Sequence, residues 1–171
     1  MLKRTGWATP GRRLLAALAV FAVGLVGTAS ASALSKPEVL RILELSEGFT
    51  PLSVSFDPQQ PLKAGDSFAF VQGLYTWSGT KRGKRIGHIE GLCGFVSAVS
   101  NGAGTVYCTV EAFLPEGRIL FEGFQHVTAG PGRSVWAVTG GTGHYRNARG
   151  WVDIKDIGIS GKTADVFHLV P

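Results

Sequence analysis

The chain has 171 residues, with 17 Lys and Arg against 12 Asp and Glu, and a formal net charge of +5. Lys3, Arg4, Arg12 and Arg13 account for all but one charge of that excess, because the 13 remaining basic residues (17 less these four) face all 12 acidic ones. A basic face able to carry phosphate contacts is therefore not indicated, and nucleic acid is excluded as the expected partner.

Residues 1–33 read as a signal peptide. The four charges form a basic n-region, residues 14–26 are an apolar run short of the ~20 residues of a spanning helix, and Ala29-Ser30-Ala31-Ser32-Ala33 offers small-residue cleavage sites. The expectation is a secreted or periplasmic protein with no stable membrane insertion after cleavage, a retained N-terminal anchor being the alternative. Residues 34–171 are then one domain with its own core.

Short apolar runs bounded by Gly, Pro, Asn or Asp follow at 39–45, 52–56, 67–77, 86–99, 104–114, 118–127, 134–138, 151–154 and 164–170. They predict eight or nine antiparallel strands, an all-β chain that closes as a barrel or packs as a sandwich. In the first run Glu44 alternates with apolar neighbours, so it either points to solvent or is a buried acid with a raised pKa. In 67–77 one face carries Phe68, Phe70, Gln72 and Leu74 and the other Ala69, Val71, Gly73 and Tyr75. Both are largely apolar, which asks for a lipophilic lumen, sister subunits against the outer wall, or both.

The cluster Lys81-Arg82-Gly83-Lys84-Arg85 reads as a solvated loop or as a seat for an anionic group. Cys93 and Cys108 lie either side of an Asn101-Gly102 turn, so an exported chain would bond them across two strands; the competing reading is a lumen thiol at Cys93. Glu90, Glu111 and Glu122 are expected to face solvent. Gly140-Gly141-Thr142-Gly143-His144-Tyr145 reads as a tight connection between strands and not as a dinucleotide loop, since Arg146 stands where the third glycine belongs. His88, His126, His144 and His168 are scattered, so neither a metal site nor a cofactor is implied. Gly-x-Ser-x-Gly and His-Glu-x-x-His do not occur.

Leu74-Tyr75-Thr76, Lys84-Arg85-Ile86-Gly87, Gly91-Leu92-Cys93, Gly117-Arg118-Ile119, Glu122-Gly123 and Val138-Thr139-Gly140-Gly141-Thr142-Gly143 together resemble the allene oxide cyclase family, over about Glu44 to Ile154. Gln72-Gly73-Leu74-Tyr75 and Ala148-Arg149-Gly150 resemble the related dirigent proteins. Both resemblances imply an eight-stranded antiparallel β-barrel with a lipophilic lumen, commonly a homotrimer. For the cyclases they further imply a catalytic glutamate at Glu44. Ser46 stands in place of a water-holding asparagine, Thr50 and Pro51 match a serine and proline beyond it, Gln72 replaces a second pocket asparagine, Cys93 matches a pocket cysteine, and Gln125 replaces a tyrosine.

What this implies is an isomerase or cyclase that holds a small lipophilic, allene-oxide-like epoxide and directs stereoselective ring closure. A dirigent-like guide for phenoxy-radical coupling is the alternative, with an oxidase partner and roles for Tyr75, Arg149 and Asp57. An exported lipophile-binding barrel without turnover is the third. The side of the sheet that Gln72 and Tyr75 occupy separates the first two.

Overall fold

The computed structural model describes residues 33–53, 61–79, 81–97, 103–127, 130–157 and 161–171. All but the last residue of the expected signal peptide, together with Asp57 and the Asn101-Gly102 turn, lies outside the described residues. Eight strands run in order: β1 (Glu38–Pro51), β2 (Ser67–Ser78), β3 (Lys81–Phe95), β4 (Gly104–Leu114), β5 (Gly117–Val127), β6 (Arg133–Gly141), β7 (Arg149–Asp156) and β8 (Lys162–Val170). Each pairs antiparallel with the next, and β8 returns to β1 to close a barrel. Closure removes the exposed edges that an open all-β sheet would present, so no covering helix is needed.

Two expected elements differ. The run at 52–56 is not a separate strand as far as it is described: β1 continues to Pro51, after which Leu52 and Ser53 leave the ladder and donate to the carbonyl of Ser67 at 2.9 and 3.4 Å. Proline, which has no backbone donor, sits where regular pairing stops. The basic cluster at 81–85 is the start of β3 and not a loop, in register with β2 from Ser78↔Lys81 to Tyr75↔Arg85. All five of its residues are exposed, so a solvated strand accounts for the charge as well as a loop does.

Alternation sends one set of side chains from every strand into the barrel. At one end these are large and tightly packed: Leu74, Ile89, Ala112, Ile119, Val152, Phe167 and Leu169 are all almost fully buried. A short 3-10 turn, Gly143–Tyr145, closes that end by burying the Tyr145 ring. Gly143 has φ +60, and a Cβ there would strike the carbonyl of Glu116, so glycine answers both constraints in this plug.

At the other end the walls separate and leave a lumen. Cys93 and Cys108 are direct partners in the β3–β4 register, with Cα atoms 4.1 Å apart, and they form a disulfide whose sulfurs belong to the lumen wall. The cross-strand pairing expected from the sequence and the pocket position implied by the resemblance therefore hold together, and Cys93 is not a thiol. The bond closes a loop of sequence separation 15. Replacing both cysteines by serine is expected to cost about 2–4 kcal/mol in urea unfolding without abolishing the barrel; an unchanged midpoint would show that the strand pairing alone carries this wall.

Candidate active site

The lumen has a volume of about 330 Å³ and narrows from an aromatic mouth to an acidic floor. Phe49, Phe68 and Phe95 stand near the mouth, with ring centroids of Phe49 and Phe95 at 4.8 and 5.9 Å from that of Phe68. Trp136 and Phe121 line the far wall, their centroids 6.1 Å apart, and the Trp136 indole donates to the carbonyl of Phe124 at 2.9 Å. Glycine makes room for two of these rings. A Cβ on Gly123 would collide with Trp136 and one on Gly91 with Phe70, so the aromatics lie flat against bare backbone.

Glu44 reaches the floor from β1. It is only 4% exposed, so the buried reading of the sequence is the one the fold adopts. Ser46 follows it on the same face, paired with Gln72 of β2, and both line the lumen. Gln125 of β5 and the disulfide complete the polar positions that the resemblance had singled out. Thr50 and Pro51 do not join them; both are exposed, and neither lines the lumen. For Thr50 the reason is a register shift between Ser46 and Gly48, which inserts Glu47 as an extra residue and exchanges the faces of the strand beyond it. Past the shift Phe49 pairs with Phe70 and turns inward, while Thr50 pairs with Ala69 on the outer wall. Pro51, opposite Phe68, is the exposed last residue of the strand.

Tyr75 is not a lumen residue. The guanidinium of Arg82 lies 5.1 Å from its ring centroid, whereas Gln72 faces the cavity. Arg149 is exposed and bonds to the carbonyl of Ala148. The face that the cyclase resemblance selects is therefore the inner one.

Sequence reasoning missed Asp165. It lies on β8 opposite Ile42, while Glu44 lies opposite Thr163, so the two acids are diagonal neighbours across the seam that closes the barrel. Asp165 is 1% exposed and lines the lumen. Among the described residues neither of its oxygens, nor Oε1 of Glu44, nor Oε1 of Gln72 has a hydrogen-bond partner of good geometry. The two carboxyls are nonetheless close enough to shape each other's protonation. Burial, reinforced by the neighbouring Asp165, holds Glu44 well above the usual carboxylate range. Burial also pushes Asp165 up to about 6, Glu44 as a proton donor pulling it back and the charge of Asp156 adding to the rise. Burial and repulsion among neighbouring carboxylates thus keep both carboxyls from ionising as freely as they would in water.

Comparison with known proteins agrees with this architecture. Residues 57–169 match the allene oxide cyclase barrel-like domain. Among solved structures, a pyocyanin demethylase is similar with 21% identity and a TM-score of 0.60, over 77% of this chain and 99% of that one. The exo-specific intermolecular Diels-Alderase AbnU is similar at 19% identity and 0.54, over 78% and 98%. The Diels-Alderase AbmU from Streptomyces koyangensis is similar at 16% and 0.59, over 80% and 70%. At such identities the likeness is one of fold. No curated protein matches the sequence.

An acid whose folded pKa lies above its unfolded value binds more protons when folded, so its contribution is favourable at low pH and is lost as pH rises from 3.8 through about 6. Asp165→Asn is therefore expected to raise stability at pH 7 by roughly 1–3 kcal/mol, with the gain shrinking towards zero as the pH is lowered to about 4. Chemical unfolding at both pH values checks it, and a variant less stable than wild type at pH 7 would mean that Asp165 is satisfied by a partner.

Proposed function

The chain belongs to the allene oxide cyclase barrel-like family, and we propose that it is an isomerase- or cyclase-type enzyme acting on a small lipophilic substrate in the barrel lumen. One observation carries the reading: two buried carboxyls, Glu44 and Asp165, are diagonal neighbours on the floor of an aromatic cavity. Two adjacent acids held in different protonation states supply a proton donor and a negative charge at one place.

For an allene-oxide-like epoxide the steps follow from those two groups. The Glu44 carboxyl donates its proton to the epoxide oxygen as the C–O bond breaks. The Asp165 carboxylate and the faces of Phe70, Phe121 and Trp136 stabilise the delocalised cation that results. The walls hold one conformer, so ring closure favours one stereoisomer over the mixture formed in water. Loss of the proton to Glu44 completes an isomerisation that needs no redox partner. Ser46 and Gln72, paired across β1 and β2, are placed to orient the oxygen-bearing end of the substrate, and Gln125 its distal part.

Export belongs to this reading, supported by the signal-peptide pattern of residues 1–33 and by the Cys93–Cys108 disulfide. So does a homotrimer, supported by the exposed Val71, Leu92, Leu120 and Phe124 on the outer wall of β2–β5.

A freshly generated fatty-acid allene oxide, supplied to the purified protein and resolved on a chiral column, tests the proposal. One cyclopentenone enantiomer should be in excess, and Glu44→Gln should reduce the enzymatic rate by about 10²–10³-fold and return the racemate. A racemate from the wild type would exclude this substrate and favour the binding barrel without turnover.

A further inference from the structure

Charge inside the lumen is one-sided. Glu44 enters it from β1, Asp165 from β8 and Asp156 from β7, while none of the described residues lining it is Lys or Arg. Asp156 accepts a hydrogen bond from the Gly132 backbone at 2.9 Å and stays near the mouth. His126, the one described lining residue able to become cationic, has its Nδ1 3.1 Å from the Thr105 hydroxyl and stands near the mouth, away from the floor. Nothing described in the cavity neutralises the floor. At the floor itself four buried oxygens, from Asp165, Glu44 and Gln72, have no hydrogen-bond partner of good geometry among the described residues, Glu44 and Asp165 being each other's neighbours. A buried acceptor without a donor is costly, and a buried carboxylate without a counter-charge costs more. Such a set is completed by a ligand that brings both donors and positive charge.

We propose that the lumen selects for a flat aromatic ligand that carries a cationic, N–H-donating group, seated with its positive edge on Asp165, Glu44 and Gln72, and that it rejects ligands that bring a carboxylate to that floor. The inference rests on the reading of the lumen as the substrate site and names its charge class. The aromatic walls supply the planar part of the recognition: a delocalised cation stacks well on Phe and Trp faces, and Phe68, Phe70, Phe121 and Trp136 all line the lumen. An anion would meet the charges of Asp165 and Asp156 in a water-poor space, with no lysine or arginine among the described lining to receive it. The elevated protonation range of Asp165 supports the proposal, because the pair is charged at neutral pH and still able to discharge on mild acidification.

Three probes of nearly one shape isolate the charge: 4-aminoquinoline, protonated at neutral pH, 1-aminonaphthalene, its neutral counterpart, and 1-naphthoate. Isothermal titration calorimetry on the purified protein at pH 7 should show the aminoquinolinium binding at least about tenfold tighter than the aminonaphthalene, with the naphthoate weaker than both. Asp165→Asn should bring the first two within about twofold, and a cooperative urea unfolding transition of the variant reports separately that it is folded. Titration of the wild type at about pH 5, where Asp165 gains its proton, should narrow the same preference without any substitution. Equal affinities at pH 7, tight binding of the naphthoate, no detectable binding of the cation, or a preference untouched by both Asp165→Asn and acid would each overturn the proposal. Calorimetry needs no turnover. An inactive protein that still ranks the probes by charge would sink the cyclase reading alone, and an active one that ranks them equally would sink this inference alone.

Discussion

The seam between β1 and β8 is the constraint on which the rest of the molecule depends. It runs from Glu38↔Leu169 to Leu45↔Lys162, and it turns a row of hairpins into a closed wall. The same register places Glu44 and Asp165 as diagonal neighbours on the inner face. A slip of one residue would send Asp165 outward and Ala164 inward, keeping most of the backbone hydrogen bonds but dismantling the acidic floor. Closure and chemistry are therefore decided by one set of pairings.

That arrangement is held against an electrostatic cost. Two carboxyls buried side by side oppose folding, and each partnerless oxygen adds to the opposition. The packed end of the barrel offsets it. Fully burying a Leu, Ile or Phe contributes roughly 1.5–3 kcal/mol, and Ile42, Leu74, Ile89, Ile119, Phe167 and Leu169 are all buried to 2% exposure or less. The disulfide adds its share on the β3–β4 wall, opposite the acids in the barrel's circumference. Stability is thus concentrated away from the floor, which leaves the floor able to carry groups chosen for chemistry.

Position in the lumen also explains why two ordinary acids become unlike. In water both would ionise below neutrality and act alike. Among aromatic walls burial disfavours both anions, and the first charge discourages the second. The bulge after Ser46 then serves the mouth. By exchanging faces it brings Phe49 inward over Phe68, while Glu47 stays outward and pairs with Arg85 at 2.7 Å.

In the sequence by itself, period-two alternation and turn residues, which act over a few neighbours, were enough to show an all-β chain of eight or nine successive antiparallel strands and to favour a Cys93–Cys108 bond, whereas barrel closure and the inner face of β2 were implied by the family resemblance. The sequence also pointed to Glu44, Ser46, Gln72 and Gln125 through resemblance. It did not foresee that Thr50 lies outside the lumen, since a bulge exchanges faces without altering the local hydrophobic pattern, nor that Pro51 is left exposed at the strand end. Asp165 was out of its reach for a related reason: Ala164, Val166 and Val170 on one face of β8 are as apolar as Phe167 and Leu169 on the other, so alternation could not say which face is inner. Only closure of the barrel decided that, because the inner face of the last strand is set by its pairing with the first, more than a hundred residues away in sequence, and no local pattern encodes a contact between chain segments that distant.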